Sequence, residues 1–182
     1  MRSHSEADRA AILAAARSAL CEAVQQTSAV QGASRGGVFD ERGGVFVTLH
    51  TRGRLRGCIG IVEASEPVGE LLAYCAAGAA LRDPRFESVR EEELGDTRIE
   101  VSLLSPLTPI AADQVVPGLH GLLIEREGRR GLLLPQVAVE HGLNREQFLD
   151  ETCIKAGLHR NSWGDPGTKL FGFTCEVFAE AG

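Results

Sequence analysis

Cys58, His120 and Glu100 are of the residue types that can share nucleophilic and acid–base work in one site. Cys58 stands in the segment Arg54-Leu55-Arg56-Gly57-Cys58-Ile59-Gly60, a thiol between glycines, where backbone can come close to a ligand. A guanidinium near a thiol favours the thiolate, which is the nucleophilic form, and Arg54 and Arg56 are close in sequence. His120 could act as general base because imidazole titrates near neutrality. Glu100 could take a proton or orient that imidazole. A bland reading stands beside each. Cys58 could be a small residue in a tight strand whose glycines serve a bulge. Glu100 could pair with an arginine such as Arg85, and His120 could be structural.

A second group suits an anion. Arg56, Arg85, Gln136 and Lys155 together could hold a carboxylate or phosphate, the arginine forks binding it through paired hydrogen bonds. On this reading the face carrying Arg54, Arg56 and Cys58, opened by Gly57 and Gly60, forms a cleft. Asp83-Pro84-Arg85-Phe86 and the His120 region wall it. The competing reading places Arg56 and Arg85 in internal ion pairs with Asp83 or Glu100. No short ligand spacing points to a metal. Gly57-Cys58-Ile59-Gly60 lacks the glycine spacing and the Lys-Ser/Thr of a phosphate-binding loop. No Gly-x-Ser-x-Gly elbow is present.

The bulk properties narrow the classes. With 182 residues, 43% of them hydrophobic and 24% charged, the chain suits one globular domain. A net charge of −6 with nine aromatic residues argues against non-specific nucleic-acid binding, which needs basic stripes. Cys21, Cys58, Cys75, Cys153 and Cys175 are odd in number and widely spaced, which fits free thiols in a reducing compartment. The N-terminus leads directly into an alanine-rich amphipathic stretch without an apolar signal core, so the expected location is cytoplasmic and away from membranes.

The elements that must position these residues alternate between helical and extended patterns. Ser5-Glu6-Ala7-Asp8 reads as a capping box before a helix on which Ile12, Leu13, Ala16, Leu20, Ala23 and Val24 recur at helical spacing, with Cys21 on its apolar face and expected in the core. A loop is expected over 27–44. Val45 to His50, then Leu55 onward, predict a hairpin turning at Arg52-Gly53 and central to its sheet. If the second strand is regular, Arg54, Arg56 and Cys58 share a face. Ser65-Glu66-Pro67 opens a helix with Val68, Leu71, Leu72, Cys75 and Ala79 inward, ended by Asp83-Pro84. Ile99 to Leu103 is a strand, and His120 to Pro135 a hairpin turning at Glu127-Gly128. Short helices follow Pro135 and Asn144, with Gly157 past the second. Leu170 to Phe178 reads as one last strand. Close strand pairs imply an α+β fold with mainly antiparallel pairing.

Read in order, these segments resemble the AMMECR domain, protein A of the AmmeMemoRadiSam system. The resemblance is carried by Phe46-Val47-Thr48-Leu49, Leu55-Arg56-Gly57-Cys58-Ile59-Gly60 and Asp83-Pro84-Arg85-Phe86. It continues through Ile99-Glu100-Val101-Ser102-Leu103-Leu104, His120-Gly121-Leu122 and Gly131 to Val137, then Cys153-x-Lys155-Ala156-Gly157-Leu158 and Trp163. Glu87-Ser88 stands where the family often has a double proline, and Gly142-Leu143 where it often has Gly-Trp. The resemblance implies a single two-lobed α+β domain, with Ser102 joining the site residues above. It also implies association with a Memo-like protein and a radical-SAM protein. It supplies neither a cofactor nor a defined reaction. An enzyme or enzyme component acting on a small anionic or modified metabolite is the leading expectation, and a non-catalytic adaptor for those partners is the alternative.

Overall fold

A computed structural model describes residues 4–26, 34–63 and 66–181. The chain forms two compact units, one running to Leu104 and resuming at Glu176, the other spanning Ser105–Cys175.

In the first unit, α1 (Glu6–Gln25) starts at the expected box: Ser5 Oγ accepts the Asp8 N–H, and the Asp8 carboxylate accepts the Ser5 N–H. Ile12, Ala16 and Leu20 recur one turn apart and are fully buried. They pack with Leu71, Leu72, Cys75, Ala76 and Ala79 of α2 (Val68–Leu81) on Val45, Val47, Leu49, Ile99, Val101 and Leu103 of the sheet. That sheet contains β1 (Gly44–Thr51), β2 (Arg54–Ile61), β3 (Thr97–Leu104) and β8 (Cys175–Ala179), in the order β2-β1-β3-β8. The hairpin of β1 and β2 turns on Arg52 and Gly53, whose φ values of 52° and 74° give the turn that matches strand twist. Its second strand is the edge of the sheet, not the centre. Of the loop expected over 27–44, residues 27–33 lie outside the described residues. The remainder holds a 3-10 turn at Gly37–Asp40, and Gly44 already belongs to β1. Ser65 of the expected helix start also lies outside them; α2 begins after Pro67.

The hairpin is not regular. Its register slips between Leu49 and His50: Thr48 opposes Cys58 and Leu49 opposes Gly57, yet His50 opposes Leu55, so Arg56 is the extra residue of a bulge. β1 keeps an unbroken register with β3, so its side chains alternate faces normally. Leu55 and Cys58 therefore lie on the face of His50 and Thr48. Arg54 and Gly57 lie on the face of Thr51 and Leu49, toward the helices. The expected single face for Arg54, Arg56 and Cys58 does not exist. Gly57 sits where α2 comes closest, and a Cβ there would be 2.1 Å from the Ala79 carbonyl oxygen.

The second unit holds β4 (Thr108–Pro109), β5 (Gly121–Arg126), β6 (Arg129–Leu133) and β7 (Lys169–Phe173), in the order β4-β7-β5-β6. Glu127 and Gly128 make the expected turn with φ of 51° and 75°. α3 (Pro135–Glu140) and α4 (Arg145–Lys155) pack over a core of Val115, Leu122, Ala138, Phe148 and Leu149. Asn144 caps α4 reciprocally with Gln147, and Gly157 follows it. The single last strand expected over Leu170 to Phe178 is two strands. The chain leaves β7 at Thr174 and enters β8 in the other sheet, and Ser105 exchanges hydrogen bonds with Thr174 at that crossing. In each sheet a phenylalanine ring lies on a directly opposed glycine, Phe46 on Gly60 and Phe173 on Gly121.

β8 is tied to α1 by charge. Arg9 and His4 meet Glu176, and Arg17 forks onto Glu180, whose carboxylate also accepts the Ile99 N–H at 2.9 Å. His4 Nδ1 lies 2.7 Å from Glu176 and Nε2 3.2 Å from Glu41. Burial lowers the His4 pKa, but the hydrogen bonds and charges of Glu176 and Glu41 outweigh it and leave the value raised above 6.5.

Replacing Gly57 with Ala forces β2 away from Ala79 and should destabilise the protein by about 1–3 kcal/mol in a urea melt. The His4 contribution is complete below the ordinary value of 6.5 and lost as pH rises through the raised one. His4→Gln should therefore lower Tm at pH 6 more than at pH 9 in paired thermal melts.

Candidate functional site around Cys58

β2 is an edge strand, so every second residue presents its N–H and C=O outward. Cys58 is one of these. Asp83 Oδ2 accepts its N–H at 2.8 Å, and Arg85 Nη2 donates to its carbonyl oxygen at 3.4 Å. Since both backbone groups of Cys58 face away from β1, Cys58 and Thr48 form the non-hydrogen-bonded type of cross-strand pair, whose side chains lie closest. Thr48 Oγ1 accordingly donates to Cys58 Sγ at 3.3 Å.

Asp83 organises the rest. Its side chain is 2% exposed. Oδ1 accepts from the Arg85 N–H at 3.1 Å and Nε at 2.9 Å, while Oδ2 takes Nη2 at 2.7 Å besides Cys58. The Arg85 hydrogen bonds hold the carboxyl far below its ordinary value against the opposing effect of burial, with the Cys58 N–H helping. Arg85 is raised in turn, by its bond to Asp83 first and then by the nearby Cys58. Its guanidinium is 55% exposed, stands 5.4 Å from the Phe86 ring centre, and has no partner on Nη1 among the described residues. Gly60 extends the face: its Cβ would be 2.1 Å from the Phe46 ring, so glycine lets that ring lie over β2 on the face that carries Cys58.

Other residues singled out by sequence take different places. Arg56 is neither paired with Asp83 nor with Glu100. Its fork meets Glu93 at 2.9 and 3.1 Å, and Nη1 and Nη2 reach the carbonyls of Glu87 at 2.7 Å and Ser88 at 3.2 Å. Arg54 is exposed, on the face opposite Cys58. Glu100 opposes Thr48 across β3, so Cys58, Thr48 and Glu100 form one row. Two strand spacings, about 10 Å, separate the backbones of its ends. Ser102 is buried opposite Phe46 in the adjoining row.

His120, Gln136 and Lys155 belong to the second unit. His120 Nδ1 accepts the Val116 N–H at 3.1 Å and closes a turn. Gln136 Oε1, on α3, is buried without a hydrogen-bond partner among the described residues. Lys155 ends α4 and is exposed. Trp163 anchors its loop, donating from Nε1 to Asp150 at 2.9 Å. Among the thiols, burial pushes Cys75 up to about 11 and raises Cys153. Cys21, expected in the core, is half-buried, like Cys58 and Cys175. No three of His, Cys, Asp and Glu gather as metal ligands among the described residues.

Sequence reasoning missed Thr48 and Glu93. In a regular hairpin with the Arg52-Gly53 turn, Cys58 would face Val47, in the core. Only the bulge brings it to Thr48. Arg56 needs a neutralising partner, and the run Glu91-Glu92-Glu93 offered one, but nothing in the spacing selects Glu93.

Asp83→Asn keeps an acceptor for the Cys58 N–H and loses the charge that holds Arg85. The Asp83 contribution is complete above the ordinary value of 3.8 and lost as pH falls through the lowered one. The Tm gap between wild type and Asp83→Asn should hold from pH 7 to 5 and narrow below pH 3.8.

No helix among the described residues is long and apolar enough to cross a membrane. The chain is 45% identical over 152 residues to a protein of Methanothermobacter thermautotrophicus, covering 80% of this chain and 79% of that one. Protein MJ0810 of Methanocaldococcus jannaschii is 43% identical over 152 residues, covering 79% and 76%. The crystal structure of uncharacterized protein PH0010 from Pyrococcus horikoshii superposes with a TM-score of 0.81 at 37% identity, covering 93% of this chain and 89% of that chain. The AMMECR1 family model matches residues 13–178, and the α+β architecture of the chain is accordingly that of the AMMECR1 family, to which it belongs.

Proposed function

We propose that the protein is an enzyme or enzyme component in which Cys58 is the reactive thiol and Arg85 receives an anionic group of a small metabolite. The observation that carries this reading is the double use of Asp83. One buried carboxylate holds the backbone beneath Cys58 and orients the guanidinium of Arg85, leaving Nη1 of that half-exposed fork available. Thr48 donates a hydrogen bond to the sulfur and holds it on the open face of the strand. Arg56, spent on Glu93 and two carbonyls, serves as the clamp that holds the bulge. Action beside a Memo-like protein and a radical-SAM protein is part of the proposal and rests on family resemblance.

The test is limited alkylation with iodoacetamide at neutral pH, mapped by mass spectrometry. Cys58 should be labelled before the other thiols, and Thr48→Val, which releases the sulfur from its fixed position, should slow its labelling by about fivefold, the worth of one ordinary hydrogen bond. Phosphates and carboxylates should raise the Tm of the wild type and fail to do so in Arg85→Leu. Labelling that starts elsewhere while Cys58 stays intact would sink the reactive-thiol reading and favour the adaptor alternative.

A further inference from the structure

We propose a second binding site, for an aliphatic monocarboxylate, in a cleft of about 480 Å³ built wholly from the second unit. It is independent of the Cys58 reading. Its floor is Leu133 of β6, Val137 of α3, Leu143 of the connection between the helices and Ile154 of α4, and its rim carries His141, Glu151 and Lys155. The helices supply the geometry. Glu151, Ile154 and Lys155 lie three and four residues apart on one face of α4, and Val137 and His141 are one turn apart at the end of α3.

Two observations identify the ligand. Ile154 is 42% exposed and the other apolar side chains are only half-buried, so the cleft leaves apolar surface uncovered in a volume typical of small-ligand sites. One cation on the rim is left unpaired. Glu151 is taken by Arg160 at 2.8 Å, which also stands 3.9 Å from Asp150, whereas Lys155 and His141 have no side-chain partner among the described residues. A chain of net charge −6 thus presents an ammonium group without an ion-pair partner beside an apolar concavity. A carboxylate head on Lys155, a hydrogen bond from His141 and an aliphatic body over Val137, Leu143 and Ile154 match both observations. A polyanion would meet Glu151 and an apolar floor, and a neutral lipid would leave Lys155 unused.

The probe is octanoate, with octanol as the same chain without the charge and acetate as the charge without the chain. Binding is followed by methyl NMR of the full chain. Octanoate should shift the Val137, Leu143 and Ile154 methyls. Lys155→Glu, octanol and acetate should each bind at least about tenfold more weakly, as expected for loss of a charge-assisted hydrogen bond or of the buried chain. Lys155→Arg should retain binding, and Cys58→Ala should leave it unchanged. Lys155 is exposed, so its variants keep the fold, which their unperturbed core methyls will report. Absence of shifts at saturating octanoate, equal binding of octanol, or full affinity in Lys155→Glu overturns the proposal.

Discussion

A buried carboxylate beside an edge strand sets the conditions for everything around Cys58. Asp83 is cut off from water, so its charge must be met by protein groups. Arg85 and the Cys58 N–H meet it, and every strong bond in the cluster passes through its two oxygens. The same contact solves a problem of the fold. An edge strand with a free N–H invites pairing with another chain, and the turn after α2 covers β2 at Cys58. Site and edge protection are one structure.

The bulge at Arg56 decides which chemistry is available there. It places Gly57 against α2, where no side chain fits, and turns Cys58 to the face of Thr48. Without it the thiol would point into the apolar core like Cys75, whose pKa burial pushes up to about 11. The internal clamp on Arg56 follows from the same slip. A bulged residue has no cross-strand partner, and the fork of Arg56 fastens it instead to Glu93 and the carbonyls of residues 87–88.

Local signals were legible in the sequence, and register was not. The caps at Ser5 and Asn144, the turns at Arg52-Gly53 and Glu127-Gly128, and the antiparallel pairing all follow from short-range chemistry that a sequence displays. A one-residue bulge leaves no such trace, yet it exchanges the two faces of a strand, so the expected row of Arg54, Arg56 and Cys58 came apart. The break at Thr174 was hidden for a related reason. The alternation from Leu170 to Phe178 runs on through it, and period alone does not say that the pattern serves two sheets. Asp83 and Arg85 were identifiable as residues near the motif, but their joint hold on Cys58 depends on a fold-level contact between the end of α2 and β2.

The late position of β8 has a consequence during synthesis. The first unit is interrupted by the second, and the carboxylates that secure α1, Glu176 and Glu180, leave the ribosome only after the whole second unit has done so. At translation rates of about 5–20 residues per second, roughly 4–15 seconds pass between emergence of β3 and of its outer neighbour. Throughout that interval the edge of β3 that β8 will cover, and the Ile99 N–H that the Glu180 carboxylate will accept, are unclaimed. The nascent chain thus carries a temporary sticky edge, and the second unit, whose strands and helices are contiguous in sequence, can complete its own fold first.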